Sequence, residues 1–397
     1  MTTANEKIFD EMAKHSLYIQ KVSAAIRNNI ISAVDATNGD VKKVIAANSE
    51  ITQLRRTTKK YATAVQKLNR DIAKARRAGW IQAETESIDD FARLIEIEQR
   101  FIDKTIKESL PFEITTKTVP PSVNTNLLAY GNWKGATAES WFRNWREKDL
   151  RRVTSTIVDG FAQNQTQGQI ERTLFGTKKQ KYRDGVVNGT RIDAERLSRT
   201  IVNGITNDAK MEYYTRNADI LKGLMYDAIF DGRTTPYCID RGDKVYPMDK
   251  LEPINVHYMC RSQYVPVVDG VGVLGSKPTV GGVNFRQSAK ESYIARQRKR
   301  GLSSKKAAKK WSNLSSGYKE QLALEKRRAY GKKVVGSVPA KTTGEAWFRK
   351  QSAKFQDQIL GKDVGKLYRK KRLSMSDVLR ENSTRPIKIS ELERLYG

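Results

Sequence analysis

The sequence predicts a mainly α-helical chain with a small antiparallel β element. This is an α+β arrangement, with a helical bundle followed by a two- or three-stranded sheet and a basic, partly helical C-terminal region. Apolar residues in the first third recur at intervals of three and four, the spacing of one amphipathic helix stripe. One such stripe consists of Tyr61, Val65, Leu68 and Ile72. The pattern changes to strand-like alternation at Leu224, Tyr226, Ala228 and Phe230. A sheet this small must pack on helices to be stable.

The composition points to a polyanionic partner. The chain has 397 residues, of which 38% are hydrophobic, and 73 Lys and Arg against 44 Asp and Glu give a net charge of +29. The length is typical of about two or three domains. A clustered basic excess of this size is the electrostatic signature of a nucleic-acid-binding protein.

Cysteine content and hydropathy limit the location of the protein. The chain has two cysteines, which excludes a disulfide framework and suits a reducing cytosol. No apolar run approaches the roughly 18 residues of a membrane helix. The N-terminal MTTANEKIFDEM lacks the build of a signal peptide. We therefore expect a soluble protein that spans no membrane and is not exported by the usual route.

Shifts in composition divide the chain into segments. Prolines and glycines interrupt the helical pattern after the first third, which predicts a linker, and a second glycine-rich stretch predicts a flexible connection. The predicted segments are an N-terminal helical region (1–110), the linker (111–135), a domain of helices with the small sheet (136–268), the flexible connection (269–285) and a basic C-terminal region (286–397).

Local signals predict the elements within these segments. Thr137 is predicted to cap the helix that follows it. The other predicted elements are an amphipathic helix over 191–217, strands over 244–246 and 263–268, and two short helices over 345–379. Gly204 lies inside the amphipathic helix and costs about 1 kcal/mol relative to alanine, which indicates a close contact at that point.

Both cysteines and one of the two histidines lie close together in the sequence, as Cys238, His257 and Cys260. Three structural roles are open: a buried clasp between two ends of the sheet, a disulfide formed after cell lysis, or a zinc site. Tetrahedral zinc needs four ligands, so an aspartate would have to complete the set. The available aspartates are Asp227, Asp231, Asp240 and Asp243. Because the C-x-x-C pairs typical of zinc sites are absent, we predict the clasp and no cofactor, with zinc as the alternative.

The same residues do not predict catalysis. A nucleophilic cysteine needs a histidine base and an orienting group nearby. His257 precedes Cys260 by three residues, which on an extended strand would place the two side chains on opposite faces. No phosphate-binding G-x-x-x-x-G-K-[ST] loop occurs either. We therefore predict no catalytic residues and no enzyme.

Basic clusters in the C-terminal region predict sequence-independent, salt-sensitive binding to nucleic acid. Trp311 and Tyr318 lie among them, either to stack on bases or to pack in a core. The predicted DNA-binding residues are Arg296, Arg298, Lys299, Arg300, Lys305, Lys306, Lys309, Lys310, Arg327 and Arg328.

One stretch also resembles a known family. Residues 231–267 contain Asp-x-Arg-Thr-x-x-x-Cys, then Gly-Asp-Lys-Val-Tyr, then His-x-x-Cys-Arg and a closing Val-Pro-Val. This pattern is similar to the head-morphogenesis, or minor capsid, domain of tailed bacteriophages, the Mu-type F protein family. The preceding helix AERLSRTIVNGITNDAKMEYYTRN, with Arg199 and Thr200, is similar to a helix of that family.

A downstream segment extends the resemblance. Its matching residues are Trp347, Gln351, Phe355, Gln356, Leu360 and Gly361. The resemblance covers about 140–285 and 340–380 and leaves the first 110 residues uncovered. Many members carry a C-x-x-C and a Cys-Arg-Cys, where this chain has Thr235 and Ser262, and their His-Pro is His257-Tyr258 here. These departures leave the fold expectation intact and weaken the support that the family gives to a metal.

The resemblance implies a minor head protein, present in few copies inside the procapsid near the portal. It would aid head assembly and the packaging or ejection of DNA. The implied partners are the portal protein, the capsid interior or scaffold, and double-stranded DNA without sequence specificity. The implied location is the virion interior, after synthesis in the host cytoplasm.

Two other functions remain open. One is a nuclease or toxin-type enzyme carried by a head-morphogenesis domain, although the tail lacks the clustered histidines and carboxylates of a nuclease. The other is a cytoplasmic, sequence-independent DNA-binding protein.

Overall fold

The structure is a computed structural model that describes residues 3–268, 276–279, 285–331, 336–339, 343–371 and 374–375. Its helices are α1 (Ala4–Ala36), α2 (Asn38–Ala47), α3 (Lys59–Ser109), α4 (Pro121–Tyr130), α5 (Ala138–Ala162), α6 (Gln167–Phe175), α7 (Asn188–Arg216), α8 (Pro236–Arg241), α9 (Phe285–Lys299), α10 (Ser304–Ser312), α11 (Ser316–Gly331), α12 (Gly344–Arg349), α13 (Ala353–Leu360) and α14 (Lys362–Arg369). Short 3-10 helices span Ser49–Gln53, Lys178–Gln180 and Ala218–Ile220. The strands are β1 (Gly223–Asp227), β2 (Val245–Tyr246), β3 (Gln263–Val267), β4 (Ser276–Thr279) and β5 (Gly336–Pro339).

The predicted fold class is confirmed, because the chain is mainly helical with a small antiparallel sheet. None of the described helices is both long enough and apolar enough to cross a membrane. The predicted capping of α5 is also confirmed, since the Thr137 side chain accepts a hydrogen bond from the Ser140 amide.

Two compact units make up the chain, and neither is one continuous segment. The helical unit comprises Leu17–Gln99 and Val119–Ala209, and the sheet unit comprises Met1–Ser16, Arg100–Thr118 and Lys210–Gly397. The divisions fall inside α1, α3 and α7, or beside α4. The five segments predicted from the sequence are continuous stretches of chain, whereas the two units are not. The division into five segments therefore stays a prediction.

The helical unit is built on the predicted stripes. Leu68 and Ile72 of α3 are fully buried in a cluster with Val153 and Ile157 of α5. The unit also holds a buried ion pair, in which Arg76 Nε donates to Asp149 Oδ2 at 2.8 Å. Trp80 Nε1 donates to the same carboxylate at 2.9 Å, so the buried Asp149 carboxylate is hydrogen-bonded as its burial requires.

The close contact expected at Gly204 is confirmed. A Cβ at this position would lie 2.2 Å from Cδ1 of the Trp133 ring. The ring is held by a hydrogen bond from its Nε1 to Asp208 Oδ2 at 2.7 Å. The predicted linker is only partly irregular, because it contains α4. Pro121 takes the first turn of this helix, where a missing N–H costs no helical hydrogen bond.

The sheet of the sheet unit has the strand order β2-β1-β3, and β1 pairs antiparallel with both neighbours. The alternation that predicted β1 is not an alternation of burial, since all five residues of β1 are buried. The strand also ends at Asp227, so Ala228 and Phe230 lie beyond it. Pro266 pairs opposite Leu224 on the edge strand β3, where a proline is tolerated.

The C-terminal part differs from the prediction in two respects. The segment around Trp347 forms three short helices, α12, α13 and α14, where two were expected. Within the predicted flexible connection, 276–279 pairs with 336–339 as the two strands β4 and β5. Residues 269–275 and 280–284 of that connection lie outside the described part of the chain.

Candidate functional site

Cys238 lies on α8, which follows strand β1 and its loop. Thr235 caps this short helix, because its Oγ1 accepts a hydrogen bond from the Cys238 amide at 3.4 Å. Pro236 follows at the first helical position. The cap and the proline together fix the backbone that carries the Cys238 thiol.

His257 and Cys260 lie on a turn before β3. The Cys260 amide donates to the His257 carbonyl at 3.3 Å, and Met259 between them has a φ of 59°. The strand geometry assumed from the sequence, which put the two side chains on opposite faces, is therefore wrong. A turn folds the chain back within three residues, so both side chains face Cys238.

The three side chains form one cluster. Their ligand atoms all lie within 4.8 Å of one another, and Cys238 Sγ is 3.2 Å from His257 Nε2. Both cysteines are buried and are free thiols rather than a disulfide. The hydroxyl of Tyr226, on β1, lies 3.5 Å from Cys238 Sγ. The three residues thus converge, and the cluster that they form joins α8 to the turn before β3.

The pKa values of the two cysteine thiols are shifted in opposite directions. The thiol of Cys260 donates to Cys238, and this hydrogen bond, with help from His257 and against the effect of burial, holds the pKa of Cys238 well below its usual range. The same hydrogen bond, with burial, raises the pKa of Cys260. Burial opposes a charge on His257, but its contact with Cys238 raises the pKa of the imidazole.

A buried ion pair adjoins the cluster in the sequence. Arg261 donates through Nη1 and Nη2 to Oδ2 and Oδ1 of Asp231, at 2.8 and 2.7 Å. Arg233 reaches the same carboxylate, with its amide 2.9 Å from Oδ1. Burial alone would raise the pKa of Asp231, but the Arg261 guanidinium holds it far below its usual range. This pair fixes the loop after β1 to the residue that follows Cys260.

None of the four candidate aspartates completes a four-ligand set. In the part of the chain that the structure describes, the cluster of potential metal ligands has three members, and no aspartate is among them. Asp231 is instead bound by Arg261, and Asp240 pairs with Arg241 at 3.3 Å. An aspartate as fourth ligand is therefore not what the fold provides.

The downstream segment packs directly onto α8. The Gly344 amide donates to the Gly242 carbonyl at 3.1 Å, and a Cβ on Gly344 would lie only 1.7 Å from the Ile239 carbonyl oxygen. Trp347 stacks on Phe230 with ring centroids 4.9 Å apart. Only glycine permits this approach, so α12 closes over the helix that carries Cys238.

The basic residues form an exposed surface on α9, α10 and the turn between them. Trp311 lies in a small core with Ala289, and Ala307 is buried as well. Lys305, Lys306, Lys309 and Lys310 of α10 are exposed. Arg296, Arg298, Lys299 and Arg300 are exposed as well. The Trp311 ring lies 5.4 Å from the Tyr293 ring, so it packs in the core. The side chains of Arg327 and Arg328 lie outside the described residues.

Sequence reasoning missed two features. It treated Asp231 as a turn residue or metal ligand and did not pair it with Arg261, thirty positions away; no local signal links them. It also missed a groove on the helical unit, lined by Arg70, Lys74 and Arg77 of α3 with Arg146 of α5. The spacing of four and three along α3 was the available signal for the groove.

Comparison with protein-family models, with curated proteins and with solved structures gives no match for this chain.

Proposed function

We propose that the protein is a phage minor head protein of the head-morphogenesis type. It has a structural and interaction role inside the capsid at the portal vertex, where it contacts the portal and the DNA. The observation that carries the proposal is spatial: the two separate segments with the family resemblance pack together. Trp347 and Gly344 of the downstream segment lie on the loop and helix that carry Phe230, Ile239 and Cys238.

The motif residues also depend on one another for their placement. Asp231 and Arg261 come from opposite ends of the resembling stretch and form its buried ion pair. Phe355 is buried against Trp347 and Phe348 with ring centroids 5.8 and 5.9 Å apart. If the pattern matched by chance, its residues would not be expected to pack together in one unit. Their packing together supports the resemblance.

The charge of the protein supports contact with DNA. The eight basic residues of α9, α10 and the turn between them have no acidic ion-pair partner among the described residues, so their charge is available to phosphates. These residues are Arg296, Arg298, Lys299, Arg300, Lys305, Lys306, Lys309 and Lys310. Such contacts read no bases, which fits a protein that meets packaged DNA of any sequence.

The proposal is tested by counting copies in purified procapsids and mature particles by quantitative mass spectrometry, relative to the portal protein. We expect a small number of copies in both kinds of particle. Absence from both would overturn the structural proposal and favour the cytoplasmic DNA-binding protein or the enzyme. Presence in procapsids alone would assign the protein to assembly rather than to ejection.

The DNA contact has its own test. Replacing Lys305, Lys306, Lys309 and Lys310 by Gln removes four exposed charges from one face of α10. The slope of log Kobs against log salt should then become less steep by about 3 to 4, because each phosphate contact contributes about 0.9.

A matched variant separates position from net charge. It replaces Lys59, Lys60, Lys178 and Lys179 by Gln, four exposed lysines of the helical unit. Its slope should change by less than about 1. Equal changes in the two variants would show that net charge alone drives binding and would remove α10 as the DNA-binding surface.

A further inference from the structure

We propose that Cys238, His257 and Cys260 bind one zinc ion, with a water molecule as the fourth ligand. This inference goes beyond the proposed function and does not depend on it. The buried clasp and the disulfide are the competing explanations for the same three residues. Donor geometry, the orientation of the imidazole and the surroundings of the cluster favour the ion.

The donor separations fit a tetrahedral ion. Zinc bonds of about 2.3 Å to sulfur and about 2.0 Å to nitrogen place tetrahedral donors about 3.8 Å apart for two sulfurs and about 3.5 Å for sulfur and nitrogen. The three donor atoms lie within 4.8 Å of one another, and Cys238 Sγ and His257 Nε2 are 3.2 Å apart. An increase of about 0.3 Å in the distance between the last two atoms would admit the ion.

The imidazole is oriented as a ligand. His257 Nδ1 lies 3.0 Å from the Tyr258 carbonyl oxygen. A carbonyl oxygen can only accept, so Nδ1–H is the donor of this hydrogen bond. Nε2 is then the nitrogen with a lone pair, and it faces Cys238. A metal-bound histidine ordinarily donates its other ring N–H to a carbonyl or carboxylate in this way. A disulfide needs no histidine in this orientation.

The burial and the charge of the surroundings also favour a zinc ion. The two sulfurs are buried, whereas His257 is only partly so. Two thiolates and a neutral imidazole neutralise a divalent ion, so a bound zinc would leave no net charge in the buried pocket. Arg261, the nearest cation in the sequence, is already bound to Asp231.

Zinc is the divalent ion that this donor set favours. Thiolate and imidazole ligands suit zinc, whereas magnesium and calcium take oxygen ligands. Because the described residues offer three such donors, solvent entering beside His257 supplies the fourth. The ion would connect α8 to the turn before β3.

The test uses the full chain, produced with zinc in the medium and purified in reducing buffer without chelators. We expect about one zinc ion per chain by elemental analysis. X-ray absorption should show two sulfur ligands at about 2.3 Å and nitrogen or oxygen ligands at about 2.0 Å. Substituted cobalt should give a thiolate-to-metal charge-transfer band.

Variants assign the ligands. Cys260→Ser and His257→Gln should each lower the zinc content at least about tenfold, since even the loss of a partner that orients a ligand weakens metal binding by about 10 to 100-fold. His15→Gln is the matched control, because His15 is the other histidine and stacks on Phe101, away from the cluster. It should keep its zinc.

Two results would overturn the inference. Zinc near zero with two alkylatable thiols would assign the clasp, and zinc near zero with an intact mass two hydrogens lower would assign a disulfide. Elemental analysis and X-ray absorption of the unmodified protein distinguish these outcomes even where a variant fails to fold. Zinc content and incorporation into particles are separate readouts, so either proposal can fail without the other.

Discussion

The buried ion pair between Asp231 and Arg261 gives the sharpest stability prediction. Asp231→Asn keeps the size of the side chain and keeps an oxygen for the Arg233 amide. It removes the negative charge that faces the Arg261 guanidinium. The two side chains are only 6% and 13% exposed, so Arg261 would keep its charge with little water around it.

The expected loss is about 3 to 5 kcal/mol, the cost of removing one partner of a buried pair. Much of this cost is the desolvation of the remaining cation rather than the lost attraction. Asp219→Asn is the matched control in the same unit. Asp219 pairs with Lys117 at 3.1 Å, but the two side chains are 62% and 64% exposed. A pair as exposed as this one contributes little to stability, because water screens the attraction.

Amide hydrogen exchange measures the effect where it should occur. In peptides that cover β1 and β3, Asp231→Asn should speed exchange by about 100 to 4,000-fold, because 1.4 kcal/mol is a factor of ten. Asp219→Asn should speed it by less than about fivefold. If the two variants gave similar rates, the ion pair would not hold the loop to β3 and the reasoning would be refuted.

Acid and two glycine substitutions should also change stability. The folded-state pKa of Asp231 lies below its unfolded value of about 3.9. The stabilisation that the ionised carboxylate provides is therefore present above about pH 3.9 and is lost as the pH falls through and below that value. Urea midpoints should fall between pH 6 and pH 3, and those of Asp231→Asn should fall less steeply. Gly204→Ala would push a methyl group against the Trp133 ring and should destabilise by about 1 to 3 kcal/mol. Gly39→Ala is the control for Gly204→Ala, since nothing lies within 4 Å of the new methyl group. The higher helix propensity of alanine should stabilise this variant by about 0.5 to 1 kcal/mol. Thermal unfolding followed by circular dichroism measures both variants, and a Gly204→Ala protein as stable as the parent would contradict the packing argument.

The helices were predictable because their signals are local. The spacing of Leu68 and Ile72, the cap at Thr137 and the run from 191 to 217 all act within a few turns of chain. Two short helices were expected near the C-terminus and three form, because Gly361 ends α13 with a φ of 86°. Helix content is thus easier to predict than helix boundaries.

The residues of the candidate site were also named from the sequence, but their relation was not. Cys238, His257 and Cys260 stand out as rare residue types in one stretch. Their convergence needs the turn at Met259, with its positive φ, and an assumed strand led to the opposite conclusion. A single backbone conformation decided whether two side chains share a face.

The sequence by itself determined the fold class, the charge of the surface and the identity of the rare sulfur and imidazole groups, because composition and short periodicities carry that information. Only the tertiary structure decided which of those groups meet. Asp231 forms an ion pair with Arg261, and Gly344 packs against Ile239. Both contacts join segments that are far apart in the chain. Such contacts leave no local pattern, since packing selects them from many partners of the same chemical type.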